Sequence, residues 1–140
     1  MTVAELRQRS NRFTENIDIY IENVIDDNQA LIDLNREQLH NEHKTANDQP
    51  ITPQYSKWYA AIKGFSTPDL YATGETQRTL TIEATRDGQF YIDGHTEQTP
   101  ELMEKYGEDI FGIARSRRSQ AKAITTEAMA KLYKEIVLQR

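Results

Sequence analysis

The chain has 140 residues and a net charge of −5, with 28% charged and 37% hydrophobic residues and no cysteine. This length fits one domain, which we take to span residues 1–140. The lack of cysteine excludes disulfides and thiolate metal sites. No segment approaches the ~18 consecutive apolar residues of a membrane span, and the N-terminus lacks the basic-then-apolar order of a signal peptide. We therefore expect a soluble protein that is not exported and has no membrane partner.

Charge is distributed unevenly along the chain. Residues 1–112 carry 20 acidic and 10 basic side chains, whereas residues 113–140 carry 2 acidic and 7 basic ones. A basic C-terminal segment on an acidic body has three interpretations. The segment contacts an acidic neighbouring protein, or it lies near nucleic acid, or it folds back onto its own acidic body.

The first elements predicted along the chain are helical. Thr2 and Glu5 have the spacing of a capping box. From Phe13 to Leu39 the apolar residues fall in one arc of about 140°, which predicts a single amphipathic helix about 40 Å long. The opposite side is either a solvated face or a binding surface, and it carries an acidic face formed by Glu15, Asp18, Glu22 and Asp26.

A polar stretch and an aromatic stretch follow. Residues 41–56 are polar with two prolines, which predicts a long loop that is mobile in the isolated protein. Tyr55, Trp58 and Tyr59 then have the spacing of a short helix packed on the first one. Stacking on nucleic-acid bases is the alternative role for Trp58 and Tyr59, but only two lysines lie nearby, which favours core packing.

Residues 78–85 alternate between apolar and polar side chains, which predicts a half-buried strand. Asp87 and Gly88 form a hairpin-turn signal, and residues 90–92 form the return strand. The hairpin and the first helix each have one apolar face to bury, so we expect the two to pack together. The hairpin face comprises Leu80, Ile82, Phe90 and Ile92.

The C-terminal part is predicted to be helical. Thr99 as N-cap and Pro100 at the first position mark a short helix that Gly107 ends. Residues 119–138 carry apolar side chains at helical spacing and predict the last helix. The predicted fold class is α+β: a long N-terminal amphipathic helix, a central antiparallel β-hairpin, a short helix and a C-terminal helix.

Little in the sequence points to catalysis. His40 and His43 could share a helix face, but the His-Glu-x-x-His pattern and a matched third ligand are missing, which favours solvated histidines over a metal site. The sequence has no glycine-rich phosphate loop and no Gly-x-Ser-x-Gly nucleophile motif. We therefore expect a protein that is not an enzyme and that has no cofactor, no catalytic residues and no metal ligands.

Two motifs carry a family resemblance. The first runs from Leu70 to Thr79 (Leu-Tyr-Ala-Thr-Gly-Glu-Thr-Gln-Arg-Thr), and the second from Leu102 to Gly112 (Leu-Met-Glu-Lys-Tyr-Gly-Glu-Asp-Ile-Phe-Gly). With residues 31–39 upstream, they resemble uncharacterised proteins of Bacteroidetes phages and prophages. Their order is also similar to that of the tail-completion, or head–tail joining, family of tailed phages. Thr79 departs from that family, which usually has a small residue or serine there.

The resemblance implies a structural virion protein that forms a ring of identical subunits in the phage neck. Its partners would be other copies of itself, the connector on the portal side, the tail-tube or terminator proteins and, without sequence specificity, the packaged DNA. It would be located in the virion neck, after assembly in the host cytoplasm. The alternative is a small non-enzymatic cytoplasmic interaction or regulatory protein that a phage or prophage encodes.

A ring of identical subunits needs two different patches that meet. The acidic face is one candidate patch. The other is a group of basic residues that precede or open the last helix, where the helix dipole disfavours cations. We expect these residues to contact a neighbouring subunit or DNA: Arg115, Arg117, Arg118 and Lys122.

Overall fold

The computed structural model describes residues 1–70, 75–85 and 89–139 and has the predicted α+β class. The regular elements in these ranges are α1 (Val3–Glu15), α2 (Ile17–Ile25), α3 (Gln29–Glu37), α4 (Lys57–Lys63), α5 (Glu75–Arg78), β1 (Thr81–Ala84), β2 (Phe90–Asp93), α6 (Thr99–Tyr106) and α7 (Arg118–Ile136). A π-helical turn follows α3 at Gln38–Glu42, and 3₁₀ turns occupy Glu108–Ile110 and Arg115–Arg117. The last of these turns leads directly into α7.

The N-terminal helix α1 begins with the capping box that the sequence predicts. The hydroxyl of Thr2 accepts a hydrogen bond from the Glu5 amide at 3.1 Å, and the Thr2 amide donates to the Glu5 carboxylate at 2.8 Å. Two of the amides at the helix start that lack helical partners are therefore satisfied.

The prediction of one continuous helix from Phe13 to Leu39 is wrong in detail, because the chain breaks twice. At the first break the Asn16 side chain donates to the backbone carbonyl of Arg12 at 2.8 Å. At the second, Asp27 has a φ of 55°, and Asn28 caps α3 through its side chain. Asn and Asp tolerate this backbone and compete with helical hydrogen bonds, so they end helices that the apolar periodicity alone would continue.

The β-hairpin packs as predicted. β1 and β2 are antiparallel with Ile82 opposite Ile92, and both side chains are buried together with Leu80. β1 contacts α2 and α3, so the hairpin covers the apolar side of the N-terminal helices. β1 begins only at Thr81, because the residues before it form the helical turn α5. The Asp87-Gly88 turn and the Thr73-Gly74 step lie outside the described residues.

The C-terminal helices complete the fold. α6 has Gln98 at its N-cap position, one residue before the predicted N-cap Thr99, and it ends at Gly107, whose φ is 97°. α7 packs on α1, α2 and α3. The elements share one apolar core, whose fully buried side chains include Leu31, Ile32, Leu39, Ile51, Ile82 and Ile110.

Most of the predicted loop, residues 43–56, lies outside the helices and strands, and internal hydrogen bonds hold part of its backbone. The Thr45 amide donates to the Gln49 carbonyl at 2.8 Å, and the Ala46 amide donates to the Asp109 carbonyl at 2.7 Å. Ile51 is fully buried and supplies an apolar anchor in the middle of the segment. The hydrogen bond to Asp109 joins this segment to a distant part of the chain, which composition does not reveal.

The aromatic segment also differs from the prediction. Trp58 is 74% exposed and Ile62 is 62% exposed, and α4 contains no buried residue. The helical spacing is correct, but this face of α4 points to solvent instead of the core. Tyr55, in contrast, is partly buried and forms an edge-to-face contact with Tyr59. In the described ranges, no helix is both long and apolar enough to cross a membrane.

Candidate assembly surface

The four basic residues around the start of α7 have different surroundings. Arg117 folds back onto the body of the protein, where its guanidinium donates to the carboxylates of Glu37, at 3.3 Å, and Glu42. Only 11% of its side chain is exposed. The hydrogen bond to Glu42 raises the pKa of Arg117 above its usual value. Of the three interpretations of the basic segment, the internal contact therefore applies to Arg117.

Arg115, Arg118 and Lys122 differ from Arg117 in this respect. All three side chains are exposed, and none forms an ion pair with any residue of the described ranges. Arg118 and Lys122 are four positions apart on α7, so they project from the same side of the helix. Cations at a helix N-terminus are weakly destabilising. Among the described residues, these three charges therefore have no counter-ion.

A hydrogen-bonded contact between residues 35–48 and 109–117, called the polar joint below, holds the start of α7 in place. Asn35 and Gln38 are fully buried and both donate to the Gly112 carbonyl, at 2.8 and 3.2 Å. The Gln38 side-chain oxygen accepts from the Ala114 amide at 2.8 Å. Buried amide side chains need such partners, so these two residues fix the path of the chain into α7.

Asp48 adds a second attachment to the polar joint. Its carboxylate accepts from the Ser116 hydroxyl at 2.6 Å and from the Ser116 amide at 3.0 Å. The hydroxyl hydrogen bond is the main reason that the pKa of Asp48 lies below its usual value. Ser116 lies between Arg115 and Arg117, so the polar joint positions the basic residues on both sides of it.

A groove of about 560 Å³ lies between α2, β2 and the first half of α7, and it is called the α2/α7 groove below. Arg118 and Lys122 line it, and both are exposed. The groove therefore combines an apolar wall with two cations that have no ion-pair partner among the described residues. The wall is formed by Ile21, Ile25, Phe90, Ile113 and Ala121.

The acidic face of α1 and α2 is also mostly exposed to solvent, including Asp26 at its C-terminal end. Glu15 and Asp18 are exposed, and Glu22 is half-buried. Asp26 has an internal role, because its carboxylate accepts from the Ala84 amide at 2.8 Å and so holds the end of β1. Ile19 lies among these acidic residues and is 55% exposed.

A second charged cluster is internal. Asp69 is 2% exposed, and its carboxylate receives hydrogen bonds from Tyr55 at 2.9 Å and Lys63 at 3.2 Å. His40 lies 3.8 Å from the same carboxylate. Burial, together with the hydrogen bond to Asp69, raises the pKa of Tyr55 well above its usual value. A buried carboxylate paired in this way ties the α4 segment to the body of the protein.

The described residues contain no group of three or more His, Asp or Glu side chains that could hold a metal ion. The sequence analysis did not separate Arg117 from the three exposed basic residues, and it did not find the groove or the exposed positions of Ile19 and Trp58. Ile19 could have been found, because it falls on the acidic side of the helical projection. The exposure of Trp58 depends on how α4 is oriented, which its own spacing does not determine.

Comparison of this chain with protein families, with curated proteins and with solved structures finds no match.

Proposed function

We propose that this protein is a non-enzymatic structural protein that acts by assembling with other proteins, and that its role is head–tail joining in the neck of a tailed phage. The observation that carries the proposal is the exposed set of Arg115, Arg118 and Lys122. These cations have no ion-pair partner among the described residues, and Arg115 and Arg118 stand at a helix start, where the dipole disfavours cations. An anionic surface outside the chain would supply the missing interaction.

The acidic face supports the same proposal. A ring of identical subunits is built from a heterologous contact, in which one patch meets a different patch on the next copy. Exposed Glu15 and Asp18 on one side and exposed Arg118 and Lys122 on the other supply two patches of opposite charge. A neck ring also surrounds DNA, and basic side chains turned towards its centre would meet phosphates. The net charge of −5 argues against DNA binding by the isolated protein as its main role.

The alternative role, a small interaction or regulatory protein, is favoured by one observation. Trp58 and Ile62 are four positions apart on α4 and form an exposed apolar pair outside the basic and acidic surfaces. Exposed aromatic side chains of this kind are enriched at protein interfaces. A regulatory protein would use such a surface to bind a host protein and would be dispensable for joining heads to tails.

Electron microscopy of particles made without this protein distinguishes the two roles. The phage or prophage that encodes the chain is induced with the gene deleted, and again with the gene supplied from a plasmid. Head–tail joining predicts DNA-filled heads and separate tails in the deletion, and complete virions when the gene is restored. Complete virions in normal numbers without the protein would overturn the proposal and favour the regulatory role.

A further inference from the structure

We infer that the α2/α7 groove is the binding site for the acidic face of α2 from a second copy of this chain, with Ile19 entering the apolar part of the groove. The inference deepens the proposed function, because the choice of a second copy as the occupant rests on the ring. It adds an apolar contact, Ile19 in the groove, to the proposed pairing of the two charged patches.

The chemistry of the groove defines what it can bind. Side chains of α2, β2 and α7 give it an apolar wall, and Arg118 and Lys122 place two positive charges beside that wall. A matching occupant needs an apolar side chain with acidic side chains next to it. An apolar segment without acids would leave both cations unpaired, and an acidic segment without an apolar side chain would leave the wall in water.

The acidic face of this chain has that composition. Ile19 is 55% exposed and lies on the side of α2 away from the buried Ile25. Asp18 adjoins it, Glu22 lies one turn further along α2, and Glu15 ends α1 just before the break at Asn16. None of these three carboxylates forms an ion pair with a described residue. Surfaces of opposite charge, each with an apolar centre, are therefore present on the same chain.

The two surfaces cannot satisfy each other within one chain. Ile19 and Ile21 are two positions apart on α2, or about 200° around the helix axis, so they project to nearly opposite sides. Ile21 lines the groove, whereas Ile19 faces solvent on the other side of the same helix. A contact between them joins two copies head to tail and leaves one groove and one acidic face open at the ends, as growth into a ring requires.

The test measures self-association of the isolated full-length chain by analytical ultracentrifugation at low and high salt. Concentrations extend to about 1 mM, where a contact with a millimolar dissociation constant is half populated. We expect concentration-dependent oligomers that weaken as salt rises. A chain that stays monomeric over the whole range would overturn the inference. The joining role would still stand, since other neck proteins could hold the subunits.

Charge-reversal variants then identify the two surfaces. Arg118→Glu with Lys122→Glu reverses the charge of the groove. Glu15→Lys with Asp18→Lys reverses the charge of two residues of the acidic face. Each double variant alone should associate at least about tenfold more weakly than the parent chain, because like charges now meet. An equimolar mixture of the two should recover association, because each reversed surface finds its complement on the other variant.

Two control variants test whether a change in net charge or in exposed apolar area alone is enough to weaken association. Lys131→Glu with Lys134→Glu changes the net charge by the same amount on the exposed part of α7 beyond the groove, and it should associate as the parent does. Ile19→Ser should weaken association, whereas Val3→Ser should not, although Val3 is 75% exposed. Thermal unfolding of every variant checks that the chain remains folded. If groove reversal weakens association but the mixture recovers nothing, the acidic face is not the occupant and the inference fails.

Discussion

The polar joint and the start of α7 contain similar side chains in opposite situations. Two side chains of the polar joint have internal partners: Gln38 binds the backbone at Gly112 and Ala114, and Arg117 binds Glu37 and Glu42. One residue further on, Arg118 is exposed and forms no ion pair with a described residue. The difference separates polar groups that hold the fold from polar groups that the fold leaves available to a partner.

Removing a polar group from the joint should cost the most stability. Gln38→Leu keeps the side-chain volume but leaves the buried Ala114 amide without its acceptor. We expect a loss of about 2–3 kcal/mol in the free energy of unfolding, because a buried unpaired polar group bears its full desolvation cost. Urea denaturation measures it. The control is Gln29→Leu, an exposed position in α3, which should change stability by less than ~0.5 kcal/mol.

A Gln38→Leu variant that is as stable as the parent chain would contradict this distinction between the polar joint and the start of α7. It would mean that the path of the chain from Ile110 to α7 is set by the apolar core alone. The side chains of Asn35 and Gln38 would then only fill space in the core, and their hydrogen bonds would add little to the free energy of unfolding.

A smaller loss of stability is expected for a substitution at Arg117, and the same substitution at Arg118 serves as the control. Arg117→Ala removes the cation from two carboxylates and exposes part of the joint, and we expect a loss of roughly 1–2 kcal/mol, between the values for exposed and buried ion pairs. Arg118→Ala should be within about 0.5 kcal/mol of the parent, since it removes an exposed charge from a helix start. Urea denaturation of the two variants side by side gives both numbers. Equal losses at the two positions would show that the distinction drawn between them is wrong.

The sequence predicted those features that depend on residues close together in the chain. The capping box of Thr2 and Glu5 follows from local spacing. So does the placement of Ile82 and Ile92 on the same buried face of the hairpin. The breaks at Asn16 and Asp27 were missed because apolar periodicity continues across them, although Asp26, Asp27 and Asn28 form a recognisable cluster of turn-forming residues. The fold class was therefore predictable and the division of the first helix only partly so.

The candidate site was less predictable, because its main distinction is tertiary. Arg117 and Arg118 are consecutive arginines, so the sequence alone does not distinguish them. Which of them reaches Glu37 and Glu42 depends on how the π-helical turn after α3 meets the turn before α7. The groove was not predictable for the same reason, because its wall combines residues from α2, β2 and α7 that are far apart along the chain.

The most direct test of the account is a complementation measurement at the start of α7. A variant with Arg115→Glu, Arg118→Glu and Lys122→Glu is supplied to phage that lack the gene, and complete virions are counted by electron microscopy. A charge-matched variant with Arg7→Glu, Lys131→Glu and Lys134→Glu, all at exposed positions, serves as the control. We predict that both variants fold and that only the control joins heads to tails at the level of the parent. If the first variant joins them equally well, its three cations form a solvated face and the central claim is wrong.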